Sequence, residues 1–258
     1  MGQLTLTGFY GPKPPALAGL LRDLSGLIES TYLKEYFFPY PIEQIHGTLI
    51  GLERVEGKEK YLNANYWMWA GEKRSMDFSC LVSTLSEFLP MPLRIGGFAE
   101  NFTGFRSFGD IPYRRALGID WASGRVTLIG WPYSGGFSSV DFTGRRPLWE
   151  LRNRLAQQCY VRHKYHRHED NDFYMVLGTL HQPEGLNKTL QEKLKRAGQQ
   201  LENSARTFLY HNPIILSLDQ DTVSIVRYER ETLERHSSRA WKIRELLDGG
   251  IAIQQLYH

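Results

Sequence analysis

Cysteine is scarce in this chain. Only Cys80 and Cys159 occur in 258 residues, too few for the disulfide framework of a small secreted domain and in keeping with a reducing compartment. On that reading the sequon Asn101-Phe102-Thr103 is an unmodified loop. No apolar run approaches the length of a membrane span. The first fifteen residues, with their prolines and lysine, lack the apolar centre of a signal peptide. These absences predict a cytoplasmic protein with no membrane partner. No HExxH or Cys-x-x-Cys pattern is present, so neither a metal nor another cofactor is expected. Low-complexity segments and short-period repeats are absent as well.

The chain is rich in core-forming residues, with 41% apolar and 13% aromatic content, which suits one large domain or two small lobes. Its formal net charge is only +3, but the cations are uneven. Arg145, Arg146, Arg152, Arg154, Arg162, Lys164 and Arg167 crowd one span together with His163, Tyr165, His166 and His168. That mixture suits phosphates, and it equally suits a solvated helix face running into a charged loop.

Apolar and polar residues alternate from Gln3 to Tyr10, which predicts a strand ended by Gly11-Pro12-Lys13-Pro14-Pro15. Leu17, Leu20, Leu21, Leu24, Leu27 and Ile28 fall at helical spacing between Ala16 and Leu33, although Gly19 and Gly26 weaken that helix. Pro39 and Pro41 impose an extended approach to a strand from Ile45 to Leu52. A charged turn follows at Glu56 to Lys60, then an aromatic stretch, Tyr66 to Trp69, of open assignment. Phe78 to Phe88 reads as a helix capped by Asp77 and stopped by Pro90 and Pro92. Leu93 to Phe98 reads as a strand, and Arg115 to Pro132 as a hairpin turning at Ala122-Ser123-Gly124. Pro147 to Tyr160 is predicted helical. A strand is expected from Phe173 to His181, a long helix from Leu186 to Tyr210, and a hairpin of Ile214–Asp219 with Thr222–Glu229. A last helix is expected from Ser238 to Leu247, ended by Gly249-Gly250.

Two short passages repeat a pattern. In Ile45-His46-Gly47-Thr48-Leu49-Ile50, alternation places His46 and Thr48 on one strand face. Val176-Leu177-Gly178-Thr179-Leu180 has the same apolar setting and the same threonine, with Leu177 where the first copy has histidine. Together these passages resemble the 2H, or 2′-5′ RNA ligase-like, phosphoesterase superfamily. His46 and Thr48 match its first His-x-Thr motif, and Thr179 matches the hydroxyl of a degenerate second one.

The resemblance implies one α+β domain over residues 1–258. It would have two lobes related by a pseudo-twofold axis, with antiparallel sheets carrying helices on their outer faces and a cleft lined by one motif strand from each lobe. The passage between lobes is expected near residues 134–147. The implied chemistry is metal-independent opening or hydrolysis of a cyclic or 2′-5′ phosphodiester of RNA or a nucleotide by a monomer. Such a reaction needs a base for the attacking oxygen and an acid for the leaving one. Two imidazoles meet that need near neutral pH, and hydroxyls beside them hold the phosphate.

The expected catalytic set is therefore His46, Thr48 and Thr179, with His181 as a displaced acid or base two residues beyond Thr179. Tyr113, Arg115, Arg227 and Tyr228 are candidates for stacking and phosphate contacts at the cleft rim. His163, His166, His168, Glu169 and Asp170 read as a solvated charged loop rather than a metal site. Two other functions fit the same residues. One is a catalytically inactive nucleotide- or RNA-binding relative. The other is a protein-interaction domain using the aromatic stretches Tyr66 to Trp69 and Gly130 to Tyr133.

Overall fold

Alternation governs the first strand. In β1 (Gln3–Gly8), Leu4 and Leu6 join the main hydrophobic core while Thr5 and Thr7 point to the opposite face. The computed structural model describes residues 2–55, 61–133, 146–165, 169–181, 185, 187–247 and 252–258. Helix α1 (Pro15–Glu29) begins with proline in its first turn and buries Leu17, Leu20, Leu21, Leu24 and Ile28. It ends before Leu33, because Thr31 caps a separate short turn by accepting from the Leu33 amide. Strands β2 (Phe37–Pro39) and β3 (Gly47–Gly51) follow.

The aromatic stretch left open by the sequence is helical. It forms α2 (Ala64–Ala70), capped by the Asn63 side chain and closed by Gly71 at a φ of 68°. Helix α3 (Phe78–Phe88) has the expected Asp77 cap. Then come β4 (Met91–Ile95), the short α4 (Pro112–Arg115) and a hairpin of β5 (Leu117–Asp120) with β6 (Arg125–Pro132). Helix α5 (Pro147–Gln158), β7 (Phe173–Leu180) and α6 (Lys188–His211) lead into β8 (Ile214–Leu218) and β9 (Val223–Tyr228). The expected last helix is half strand: β10 (Arg239–Lys242) precedes α7 (Ile243–Leu247).

These strands make one connected antiparallel sheet where separate sheets were expected. Its order is β10-β9-β1-β3-β7-β6-β4-β8, with β2 on β7 and β5 on β6. The predicted hairpin of β8 with β9 does not form. β8 pairs with β4, and β9 lies between β1 and β10. Since only residues 219–222 separate β8 from β9, the sheet must curl until its two ends approach. Side-chain packing agrees, because a Cβ added to Gly8 on β1 would strike Leu218 on β8. Leucines from α1, α3, α5 and α6 share one core cluster with the strands, so the class is α+β.

The cysteines require a correction. Cys80 on α3 and Cys159 just after α5 are joined in a disulfide with Cα atoms 5.4 Å apart, so their small number is no sign of reduced thiols. A pair separated by 79 residues carries no local spacing signal. No described helix is long and apolar enough to cross a membrane. The turn at 56–60, most of the expected passage at 134–147, and Gly249-Gly250 lie outside the described residues.

Candidate functional site

His46 precedes β3 and is half-buried, as is Thr48, whereas Ile45, Gly47 and Leu49 are buried. The ring is fixed from two sides. Its Nδ1 lies 2.7 Å from the Gln44 carbonyl oxygen, which can only accept, so Nδ1 carries the proton and Nε2 is a bare acceptor. Tyr10 packs against the imidazole edge-to-face, with centroids 5.8 Å apart. Burial, reinforced by the charge of Lys13, lowers the histidine pKa to about 4, against a smaller opposing effect of the Gln44 bond. At neutral pH the ring is therefore neutral.

Strand register extends this face. Thr48 pairs with Thr7, Thr7 with Ser224, and Ser224 with Lys242, giving a polar row across β3, β1, β9 and β10. On the other side Gly47 pairs with Met175. One residue either way sets His46 across from Val176 and Thr48 across from Tyr174.

Farther along β7 the ladder slips. Thr127 faces Val176 but Val126 faces Gly178, so Leu177 is the extra residue of a bulge. Leu177 is 5% exposed and belongs to the core, so it does not occupy a cleft position. Beyond the bulge, Arg125 pairs with Thr179. Because Arg125 and Thr127 share a face, Thr179 lies on the same face as Val176 and His46. It is three residues along from the point facing His46, about 7–10 Å at the usual rise of a strand. Thr179 Oγ1 lies 3.1 Å from His181 Nε2. The His181 ring overlies Phe38, with centroids 4.3 Å apart.

Behind the site stands Arg152, a residue whose place in a basic run hid its role. Its guanidinium is 2% exposed. It donates to the Leu49 carbonyl at 2.8 Å, the Thr48 carbonyl at 3.1 Å and the Asp170 carbonyl at 2.7 Å, and it meets the Asp170 carboxylate at 3.1 Å. One side chain thus ties β3 to the segment entering β7. Asp170 also lies 3.5 Å from His163 Nε2, and the His163 bond and the Arg152 charge outweigh burial to hold its carboxyl below the usual range. Arg152 is lowered by burial, against the two aspartates beside it.

The four rim candidates have these surroundings. Arg115 is committed to Asp172 at 2.7 Å, in a network where Ser107 and the Trp131 indole also donate to that carboxylate. Tyr113 on α4 lines a small recess with Gly96, Phe98, Arg206 and Tyr210. Arg227 donates to the His258 carbonyl at 3.0 Å. Tyr228 is buried, with its hydroxyl 2.8 Å from Glu53. His166 and His168 lie outside the described residues, and among the described residues no group of three His, Cys, Asp or Glu could hold a metal ion.

Sequence reasoning missed Tyr10, Lys13, Arg125, Arg152 and the Gln44 carbonyl. Of these, only the alternation from Gln3 to Tyr10 hinted that residues near Gly11 would reach the His46 face.

No family model matches the chain, and no curated protein does. Among solved structures, the crystal structure of a conserved protein of unknown function, ATU0111 from Agrobacterium tumefaciens, is similar. The match covers 88% of this chain and 80% of that one, at 8% identity and a TM-score of 0.42.

Proposed function

We propose that the polar face around His46 binds a phosphodiester of RNA or a nucleotide, in the manner of a 2H phosphoesterase-like protein, with His46 as the proton-transfer group. The observation that carries this reading is the bare, neutral Nε2 of His46 beside the Thr48 hydroxyl on one strand face. An in-line attack on phosphorus needs such a base, and it needs a donor to hold a non-bridging oxygen. Arg125 and Thr179 lie on the same face and add charge and a second hydroxyl.

Chain order supports a two-lobed reading. β1, α1 and β3 form one strand–helix–strand unit, β6, α5 and β7 form another, and β3 and β7 meet side by side. In this proposal His181, bonded to Thr179, is the proton donor of the second half.

The test is hydrolysis of nucleoside 2′,3′-cyclic phosphates by wild type, His46→Ala and His181→Ala. Turnover lost in His46→Ala supports the reading. Turnover that survives that change intact removes it.

A second reading, binding without turnover, is favoured by the bulge that turns Leu177 into the core and leaves no imidazole at that position. Saturable binding of the cyclic nucleotide with no product in any variant selects it.

A further inference from the structure

Beside His46 the chain gathers three cations from distant parts of the sequence, Lys13, Arg235 and Lys242. Lys13 Nζ donates to the Gly11 carbonyl at 2.8 Å. A Cβ added to Gly11 would lie 3.6 Å from Arg235 Nη1, so two cations flank one residue. The Arg235 guanidinium also stands over the Tyr10 ring at 5.2 Å, and that ring packs on His46 from its other contacts. The backbone brings the segments together as well, since the Gly11 amide donates to the Glu43 carbonyl at 2.8 Å.

Lys242 completes the group. It faces Ser224 across the β9–β10 ladder, in the row that runs on to Thr7 and Thr48. Ser224 is fully buried, and its hydroxyl has no hydrogen-bond partner, an arrangement that is costly unless something completes it. Burial pushes the Lys13 ammonium down to about 7, with Arg235 and Lys242 adding to that as like charges, and Arg235 acts on Lys242 in the same sense.

Acids face this group from several elements. Glu43 acts on Lys13, and Asp219, Asp221 and Glu245 act on Lys242. Asp221 is already taken by Arg244 at 2.6 Å, and Glu234 beside Arg235 is shared by Arg230 and His236. Glu43, Asp219 and Glu245 are left facing the three cations, beside a buried hydroxyl that is unsatisfied.

We infer that Lys13, Arg235 and Lys242 form a second anion subsite that takes a phosphate one ribose away from the phosphodiester at His46. This rests on the reading of His46 given above. The shared ligand chemistry is a second phosphate, which is either a terminal 5′-phosphate or the next internucleotide linkage. Cations held partly out of water bind a phosphate by charge-assisted hydrogen bonds, and relief of their mutual repulsion adds to the affinity.

The experiment compares three ligands by isothermal titration: uridine 2′,3′-cyclic phosphate, its 5′-phosphorylated form, and the dinucleotide UpU ending in a 2′,3′-cyclic phosphate. The wild type should bind one or both of the longer ligands about tenfold more tightly than the first, the size of a few charge-assisted bonds. The 5′-phosphorylated form alone gaining identifies a terminal phosphate, and the dinucleotide alone gaining identifies the linkage. In Arg235→Met/Lys242→Met that gain should vanish while affinity for the first ligand stays within about twofold. A gain that persists in the double variant, or no gain in wild type, overturns the subsite. If none of the three binds, the His46 reading has failed, and inorganic phosphate decides the subsite alone. A thermal midpoint raised by phosphate in wild type and not in the double variant upholds it; equal shifts, or none, refute it.

Discussion

The two ends of the candidate site carry the same pair of side chains, a hydroxyl and an imidazole two residues apart on a strand, in opposite surroundings. His46 is held by a backbone carbonyl, packed on Tyr10 and braced from behind by Arg152, which grips the Thr48 and Leu49 carbonyls. His181 is exposed at the end of β7, lies over Phe38, itself 55% exposed, and shares its Nε2 with Thr179. The residue types are alike, but the first end fixes tautomer and orientation before a ligand arrives. Preorganisation of that kind is what lowers a barrier, because little is left to rearrange during reaction.

The sharpest way to break the contrast is to remove the brace. Arg152→Met leaves the buried Asp170 carboxylate with His163 and the Asp172 amide but no cation held against it, and frees the carbonyls of Thr48 and Leu49. Losing one partner of a buried ion pair should cost about 3–5 kcal/mol. Chemical denaturation measures that loss, and a change below about 1 kcal/mol would show that the brace is not structural.

Next in size is the asymmetry in catalysis. His46→Ala should reduce hydrolysis of a cyclic phosphodiester by about 10²–10⁴, the usual contribution of a proton-transfer group. His181→Ala should cost less than about tenfold, since its ring is less constrained and proton transfer through water can substitute for it. Equal losses would abolish the distinction between the two ends.

Leu177→His tests the degenerate position itself. Because the bulge sends this side chain into the core, the new imidazole meets apolar neighbours. The substitution should cost about 2–3 kcal/mol in stability and restore no turnover. A gain in hydrolysis would mean that the bulge can be reversed.

The smallest effect is a pH dependence that belongs to His46 alone. Its folded pKa near 4 lies below the unfolded value of about 6.5. Between those values the unfolded chain binds the proton that the folded chain refuses, so stability is full above about pH 6.5 and falls as pH drops towards 4. The loss should be about 1–2 kcal/mol, allowing for the solvated part of the ring. Denaturation curves of wild type and His46→Gln across that range read it directly, and parallel curves would remove the assigned shift.

Much of the local structure is legible in the sequence because local physics decides it. The alternation in β1, the Asp77 cap of α3 and the proline opening α5 each act over a few residues. His46 and Thr48 were legible for the same reason, since two side chains two apart on a strand must share a face. What depends on the whole sheet was not. Asp219-Gln220-Asp221 is a good turn, yet curling of the sheet sends β8 and β9 to different partners. Arg152 reads as one more cation in a basic span, and nothing within that span says that its guanidinium points inward. The partners of Arg115 and Tyr228, Asp172 and Glu53, lie far off in sequence, so no local pattern announces those contacts. The bulge at Leu177 could not be read from β7 alone, because it exists only relative to β6.

The place of β1 between β3 and β9 has a consequence for how the protein is made. Thr7 on β1 and Ser224 on β9 are 217 residues apart in sequence yet adjacent in the ladder. During synthesis, β1 can find β3 early, but its other edge stays open until β9 has left the ribosome. Long-range pairings of this sort fold slowly, and an open strand edge is a template for unwanted pairing. The same late strand, with β10 beside it, delivers Ser224 and Lys242 to the row that leads to Thr48. A nascent chain that has not yet reached Val223 therefore lacks the strands that finish the surface around its histidine, and the polar row is completed only as the sheet itself closes.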